Sequence, residues 1–507
     1  MSTLASKSRI GVIGAGVMGA GIAQVAASHG HLVDLHDARP GGAAQARDRI
    51  ASALERLVER GRIDGAQANA TLSRIVVVNE LSELAGSNLV IEAIHEDVDA
   101  KRAALSAVAA IVGSEAILAS NTSSLSITAL AAAVERPQRV VGLHFFNPVP
   151  AMRLVEVVSG VQTDPGVVAY LCGLVRDWGK VPARARSTPG FIVNRVARPY
   201  YGEAWALLQD QHARADQIDL CLRGAGFRMG PFELMDLVGH DVNNAVTTTV
   251  YRACFEDPRY RPSLRQVEMV AAGFLGRKSG QGVYRYPDGL HVPADVPKAF
   301  VSPDRSGGAP VVVHGRGAVA ERFVDVLTVA GIALSRHEES GWVGLAHGDA
   351  HLVLSDGRSA TQVAAESGVQ ELVVFDFPAA EGSRLAFAAA ARASDRWVSA
   401  ASTWLRALSN EPERIGDAPG LVVTRTLAML VNEAFDLVQQ GICTEGDVDQ
   451  AMVLGMNHPR GPFAWAEVLG ADALVRVLDH LDAHYRGSRY RASCSLRARA
   501  WAGSARH

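Results

Sequence analysis

The 507 residues exceed what one hydrophobic core can organise, so two to four domains are expected. Fifty lysines and arginines interspersed with 53 aspartates and glutamates leave a net charge of -3, which offers neither a basic stripe for nucleic acid nor an acidic tail. Cys172, Cys221, Cys254, Cys443 and Cys494 are odd in number and scattered, which implies neither a disulfide framework nor a zinc site and fits a reducing cytoplasm; no apolar run approaches the length of a membrane span.

The first strand is expected near Ile10, leaving no room for a signal peptide, and it runs into G-x-G-x-x-G at Gly14, Gly16 and Gly19. A helix to Gly30 and a strand over His31 to His36 follow, closed by Asp37. Such glycines allow a tight turn and the approach of a pyrophosphate to a helix N-terminus, and an acid at position 37 accepts ribose hydroxyls, so a dinucleotide site is expected. Asp37 repels a 2'-phosphate, which favours NAD over NADP; Arg39 beside it argues the other way. Pro40 to Arg74 reads as a polar, arginine-rich helical hairpin turning near Gly61 to Gly65. Strands at Ile75 to Asn79, Asn88 to Ala93 and Ala116 to Ser120 continue the α/β alternation, with a helix from about Asp97. Ser123 then falls at the C-terminal edge of a strand, where open α/β sheets bind ligands, although a turn serine needs no function.

The stretch Gly142 to Val157, GLHFFNPVPAMRLVEV, reads as two strands joined through Asn147 to Ala151. If they pair back to back, His144 and Glu156 fall opposite each other on one face, and a carboxylate against an imidazole suits a general base. Read alone, the pair is more readily a surface His and Glu on an edge hairpin. A helix over Pro165 to Trp178 and a strand over Val181 to Arg186 lead to a break at Ser187 to Gly190. Beyond it the periodicity is helical to about Gly273, with one long helix expected over Phe191 to Leu208, Asn194 in its first turn, and another starting at Gly230.

The motifs GVIGAGVMGAGIA, IEAIHED, SNTSSL, GLHFFNP, LVEV, PGFIVNR, GPFELMDLVG and KSGQGVY, in this order and spacing, resemble the L-3-hydroxyacyl-CoA dehydrogenases continuously from Arg9 to Tyr286. The resemblance implies NAD as cofactor, an acyl-CoA substrate, His144 and Glu156 as catalytic dyad, and Ser123 and Asn194 as donors to the substrate oxygens. It also implies Asn147 in the same network, and Glu96 and Lys101 beside cofactor and substrate. The family touches CoA through a serine and a lysine on the hairpin; these positions are Ala53 and Arg60 here, which leaves Arg60 as the candidate CoA contact. The long form resembles the 3-hydroxyadipyl-CoA dehydrogenases of phenylacetate breakdown.

A Pro/Gly/Asp-rich linker, 287–310, precedes a second start of the pattern. Gly14, Gly16, Gly30 and Asp37 recur as Gly315, Gly317, Gly331 and Glu338 at a constant offset of 301, with Ala320 for the third glycine. PGLVVTR at Pro419 repeats PGFIVNR at an offset of 230, so about 71 residues are missing between the landmarks. With no arginine-rich hairpin, no HFFNP and Thr424 for Asn194, this copy is expected to be catalytically silent. The expected organisation is an α/β Rossmann domain (1–187), an all-α domain (188–290), a linker with a degenerate Rossmann-like domain (291–415) and a second helical copy (416–507). In single-copy relatives the helical domain pairs with its twin, so an intrachain pseudodimer is expected; any further homo-oligomer is left open.

No metal is expected, because His95, His212, His240 and His314 have no acidic or cysteine neighbours at ligand spacing. The expected reaction is NAD-dependent oxidation of an (S)-3-hydroxyacyl-CoA to the 3-oxoacyl-CoA. Two other readings remain open at this point: a dehydrogenase of a free hydroxy acid or sugar acid such as L-gulonate, and a non-catalytic NAD-binding structural protein.

Overall fold

The computed structural model describes residues 8–287, 311–379, 384–408 and 411–504; the expected linker, apart from Pro287, lies outside them. The chain divides into two compact units, Met1–Arg195 with Leu437–Met456, and Val196–Asp436 with Asn457–His507.

In the first unit, β1 (Arg9–Ile13), β2 (Leu32–His36), β3 (Ile75–Val78), β4 (Leu89–Glu92), β5 (Ile117–Ser120), β6 (Val140–Phe145), β7 (Leu154–Ser159) and β8 (Val181–Arg186) form one sheet. Its order is β3-β2-β1-β4-β5-β6-β7-β8, parallel throughout except between β6 and β7. The short apolar runs of β4 and β6 are buried at every residue, as strands covered on both faces must be. The covering helices are α1 (Val17–Ser28), the hairpin α2 (Gly42–Glu59) and α3 (Gly65–Ser73), α4 (Val98–Ala109), α5 (Ile127–Ala131) and α6 (Pro165–Asp177). Local chemistry sets their starts. Asp64 and Gln67 close a reciprocal capping box on α3, and Asp97 and Asp164 cap α4 and α6. Ile10, Val12, Ile91 and Val157 are wholly buried in the core between these layers.

The single helix expected over Phe191 to Leu208 is in fact two, α7 (Val193–Val196) and α8 (Arg198–Gln209). Phe191 holds a φ of 48°, which no helix continues, and Pro199 in the first turn of α8 has no N–H to donate backwards.

The second unit holds α8, α9 (Ala215–Gly224), α10 (Pro231–Val238), α11 (His240–Ala253) and α12 (Leu264–Ala271). Its own sheet comprises β9 (Val311–His314), β10 (Leu334–His337), β11 (Gly344–His347), β12 (Ala350–Leu354), β13 (Leu372–Phe375), β14 (Arg384–Ala389) and β15 (Glu411–Arg414), in the order β10-β9-β11-β12-β13-β14-β15. This is the Rossmann-like copy, with α13 (Ala318–Val329), α14 (Ala360–Ser367) and α15 (Asp395–Ala407). What the copy lost is now visible. Where the first sheet inserts the α2–α3 hairpin, β3, β4 and α4, the second has only β11, antiparallel to both β9 and β12. The fold class is as expected: a Rossmann domain, a helical domain and a degenerate second copy of each.

The second helical copy consists of α16 (Val423–Gln439), α17 (Glu445–Met456), α18 (Pro462–Leu469), α19 (Ala471–Tyr485) and α20 (Cys494–Ser504). Its α17 belongs to the first unit and packs on β7 and β8, where Asp447 accepts the Arg184 N–H at 3.0 Å. In the second unit α9 packs on β14 in the corresponding way.

Within the second unit the two helical copies meet reciprocally. Glu203 of α8 receives the Arg489 guanidinium at 2.7 Å and the Tyr490 hydroxyl at 3.1 Å. At an offset of 230 on both sides, Glu433 of α16 receives Arg259 at 3.3 Å and the Tyr260 hydroxyl. Phe227 meets His458, the residue corresponding to it, with ring centroids 4.8 Å apart. One histidine expectation is corrected here: His240 does have an acidic neighbour, since its Nε2 lies 2.7 Å from Asp236 Oδ1. Asp236 also accepts from the Val283 and Tyr284 amides and the Tyr286 hydroxyl, so this carboxylate fastens the KSGQGVYRY segment to α10.

His458 is buried and its Nε2 has no hydrogen-bond partner among the described residues, so burial pushes the imidazole down to about 3. In the unfolded chain a histidine titrates near 6.5. The stability held by the neutral ring is therefore complete above about pH 6.5 and is lost as pH falls towards 3, because the unfolded chain takes up the proton first. Between pH 7 and 4.5 the wild type is expected to lose about 2–3 kcal/mol more stability than His458→Phe, which restores the residue type of Phe227. Urea unfolding at both values checks this; a difference that does not change with pH contradicts it.

Candidate active site

The glycine loop joins β1 to α1. Gly14 has a φ of 93° and a Cβ there would meet the Ala93 carbonyl at 2.7 Å, so only glycine serves. At Gly19 a Cβ would lie 1.8 Å from the Gly14 carbonyl oxygen, which makes this glycine a matter of helix–loop packing. Gly16, the N-cap of α1, has nothing within 4 Å of its would-be Cβ and leaves the helix N-terminus open. Asp37, at the end of β2, accepts the Ala15 amide at 2.8 Å and holds Arg39 at 3.0 Å. Burial works against its charge, but the Arg39 guanidinium and the Arg39 and Ala15 amides bring it below the usual carboxylate range. An open helix N-terminus beside a charged acid fits the pyrophosphate and ribose of a dinucleotide. From the hairpin, Arg49 donates to the Ala15 carbonyl at 2.9 Å, tying α2 to this loop.

A buried polar network underlies the neighbouring loops. Glu92, at the end of β4, is fully buried and accepts the Ile94 amide at 2.7 Å, Lys101 Nζ at 2.7 Å and the Ser120 hydroxyl at 2.6 Å. Lys101 is itself 1% exposed and turned inward, its second carboxylate contact being Glu96 at 3.4 Å. Glu96 accepts the Thr122 hydroxyl at 2.7 Å, the Ser123 amide at 2.8 Å and the Ser123 hydroxyl at 3.2 Å. Burial raises its pKa, yet Thr122, Lys101 and the Ser123 amide outweigh that and keep it low. Glu96 therefore carries a fixed negative charge that orders the NTSSL loop. Asn194 joins from α7, its amide 3.4 Å from the Ser123 carbonyl.

β6 and β7 pair in the register that puts His144 opposite Glu156. Both are buried, with Nδ1 to Oε2 at 2.6 Å, and β8 rather than β7 forms the sheet edge, which disposes of the surface-hairpin reading. A neutral His144 donating from Nδ1 keeps the Nε2 lone pair for a proton. The other oxygen of Glu156 accepts the Ile192 and Val193 amides at 3.0 and 2.9 Å, just where α7 begins. One carboxylate thus orients the imidazole and caps the segment carrying Asn194. The connector between the strands holds Asn147, which is exposed. Lys180 Nζ donates to the Val149 and Met152 carbonyls at 2.6 and 2.7 Å and pins it, while burial draws the amine down to about 8. Arg60 is exposed at the C-terminus of α2, beyond Ala53 on the same helix.

The structure brings Ser123, Glu96, Lys101 and Asn194 into one hydrogen-bonded group and His144 with Glu156 into another. Glu92, Asn121 and Lys180 escaped the sequence reading. Asn121 accepts the Phe145 amide at 2.9 Å and so fastens the NTSSL loop to β6. A glutamate closing the apolar run LVIE was the available signal for Glu92, since a buried carboxylate demands partners. In the second copy, Asp376 follows β13 opposite Ala386 and accepts the Val422, Val423 and Thr424 amides at 2.6–2.9 Å. It repeats the capping done by Glu156 from the position that His144 occupies in the first copy, and Thr424 donates to it at 2.6 Å. The copy holds no imidazole there.

Three family models match the chain: the 3-hydroxyacyl-CoA dehydrogenase NAD binding domain over residues 9–188, the C-terminal domain of the same family over 190–286 and 420–506, and the 3-hydroxybutyryl-CoA dehydrogenase reduced Rossmann-fold domain over 352–419. The chain is 43% identical over 492 residues to the 3-hydroxyadipyl-CoA dehydrogenase of Escherichia coli (strain K12), covering 97% of both proteins. It is 39% identical over 282 residues to the mitochondrial hydroxyacyl-coenzyme A dehydrogenase of Homo sapiens, covering 54% of this chain and 90% of that one. Among solved structures, a 3-hydroxybutyryl-CoA dehydrogenase from Escherichia coli K12 matches with a TM-score of 0.88 and 40% identity, covering 99% of this chain and all of that one.

The glycines separate binding from folding. Gly16→Ala is expected to leave the melting temperature of the ligand-free protein unchanged and to weaken NADH binding. Gly19→Ala forces backbone apart and should destabilise the ligand-free protein by about 1–3 kcal/mol. Calorimetry with and without NADH distinguishes the two, and equal losses in both variants would contradict the assignment.

Proposed function

The chain belongs to the 3-hydroxyacyl-CoA dehydrogenase family, and we propose that it carries out that family's NAD-dependent oxidation of (S)-3-hydroxyacyl-CoA to 3-oxoacyl-CoA through His144 and Glu156. The observation that carries the residue assignment is the buried 2.6 Å contact between His144 Nδ1 and Glu156, which leaves Nε2 as the free base. His144 Nε2 takes the hydroxyl proton of the substrate, and Glu156 offsets the charge the imidazole gains. NAD, when bound, accepts the hydride that leaves C3, so that the alcohol loses one proton and one hydride in all. The open N-terminus of α1 and Asp37 suit its pyrophosphate and ribose. Ser123 and Asn194 donate to the oxygen as it becomes a carbonyl. Asn147 on the exposed connector is assigned to the same site. Lys101 acts one step back, by holding Glu92 and Glu96, while Glu96 orders the loop that presents Ser123.

The acyl group we infer is a dicarboxylic one, as in 3-hydroxyadipyl-CoA; end-to-end similarity to a protein of that name supports it. Arg60 is assigned to a CoA phosphate, its exposed guanidinium replacing the ammonium of the family pattern. The second helical copy takes the place of a second subunit, a reading supported by the reciprocal contacts of Glu203 and Glu433. Five free cysteines agree with a reducing, cytoplasmic setting.

His144→Gln should retain NAD binding and lower kcat about 10²-fold to 10⁴-fold, the range for losing a general base; near-native turnover would remove the dyad. NADH oxidation with acetoacetyl-CoA, 3-ketoadipyl-CoA and a free keto acid side by side tests the substrate. Turnover is expected only with the esters and fastest with 3-ketoadipyl-CoA, and a preference for the free acid overturns the acyl-CoA reading. Arg60→Ala should raise KM for the ester with kcat little changed; an unaltered KM takes Arg60 out of the site. Removal of residues 291–507 should yield a dimer or aggregate by exposing the apolar face that the second copy covers, whereas a stable active monomer contradicts the pseudodimer.

A further inference from the structure

The connector between β6 and β7 lies beyond the reach of the sheet. The ladder of the two strands ends at Phe145 opposite Val155, and Pro148 and Pro150 take two backbone donors out of the segment between them. Inside the connector the Ala151 and Met152 amides both turn to the Pro148 carbonyl, at 3.0 and 2.9 Å. The Val149 and Met152 carbonyls need donors from elsewhere.

Lys180 supplies them. It stands immediately before β8, is 7% exposed, and its Nζ spans both carbonyls at 2.6 and 2.7 Å. Val149 is itself buried and packs on α1, where a Cβ on Gly21 would come within 2.8 Å of the Val149 Cβ. The connector is thus held between the helix that opens the cofactor loop and the start of β8, whose Ala183 pairs with Glu156. Asn147, at the head of the same connector, is exposed.

The amine sits among groups that do not neutralise it. It borders a cavity of about 540 Å³ whose other ionisable lining residues are His29 of α1 and Arg74 after α3, with no carboxylate among them. The connector has no ionisable side chain, and Asp177 at the end of α6 and Arg153 ahead of β7 are exposed. Burial therefore draws the amine down to about 8, while its remaining charge strengthens both bonds to the carbonyls.

We propose that Lys180 is a positioning residue for the oxidation, its ammonium fixing the connector so that Asn147 is presented to the site served by His144. The inference rests on the roles given above to Asn147 and the dyad. Lys180 touches neither substrate nor cofactor and acts through the backbone it holds. The hold is complete while the amine is charged and weakens as pH rises through about 8.

A double-mutant cycle of Lys180→Met and Asn147→Ala, read as kcat for NADH oxidation with acetoacetyl-CoA, tests this. Each single variant is expected to lose about 10-fold to 100-fold, and the double variant to be no slower than Asn147→Ala alone. Losses that multiply overturn the proposal. The ratio of wild-type to Lys180→Met turnover should also shrink as pH rises through about 8, and a constant ratio overturns it equally. Should Lys180→Met fail to fold, the ratio of wild type to Asn147→Ala decides, because it must fall through the same pH; parallel profiles contradict the proposal. A wild type inert towards acetoacetyl-CoA would remove the acyl-CoA reading, and full turnover in Asn147→Ala the assignment of that residue, and the inference falls with either.

Discussion

Everything in the first unit turns on one buried carboxylate. Glu156 is fully shielded from water, and an ion in that position survives only if its oxygens are satisfied. One oxygen meets His144 and the other takes two backbone amides at the start of α7. The antiparallel register of β6 and β7 follows from placing these partners together, because a slip of one residue would send both side chains to opposite faces. The orientation of His144 and the entry of the chain into its helical portion are thus set by the same group. Replacing Glu156 therefore disturbs more than the imidazole.

The second copy separates the two duties. Its Asp376 keeps the amide-capping half, now extended from the neighbouring strand, and burial raises its pKa against the hydrogen bonds that hold it. The helix start still needs an acceptor, so the structural half remains where the second copy has no imidazole. Ser187 and Asp417 tell the same story: Ser187 accepts the first amide of α5 at 3.0 Å, and Asp417 accepts the first amides of α14. Backbone groups that must be satisfied keep an acceptor in both copies.

Legibility in the sequence followed the distance over which each determinant acts. The glycine loop and the His144–Glu156 register depend on residues a few positions or one hairpin apart, and periodicity discloses them. Asp376 was hidden because the copy drifts against the original: its local offset is 233 at Ser355, 232 at Asp376 and 230 at Thr424, so a constant-offset comparison passes it by. The break before α8 was missed because apolar spacing continues through Pro199 although its hydrogen bonding does not. Lys180 was invisible for another reason: its acceptors are carbonyls, which every residue has, and no pattern of side chains marks them.

Glu203 and Glu433 show what the duplicated helical portion has and has not kept of a symmetric pair. In a true two-fold interface each carboxylate would meet identical partners. Here Arg259 has gained Asp436, where the corresponding position on the other side is Ala206. Burying such charges is a poor source of stability, since removing them from water offsets most of their attraction. Their force lies in selection: any other seating of one helical copy on the other would strand an unpaired ion, at a cost well beyond that of an imperfect apolar contact. Once both copies lay on one chain, each side was free to change alone. Asp436 against Ala206 records that freedom, as does a histidine facing its phenylalanine counterpart.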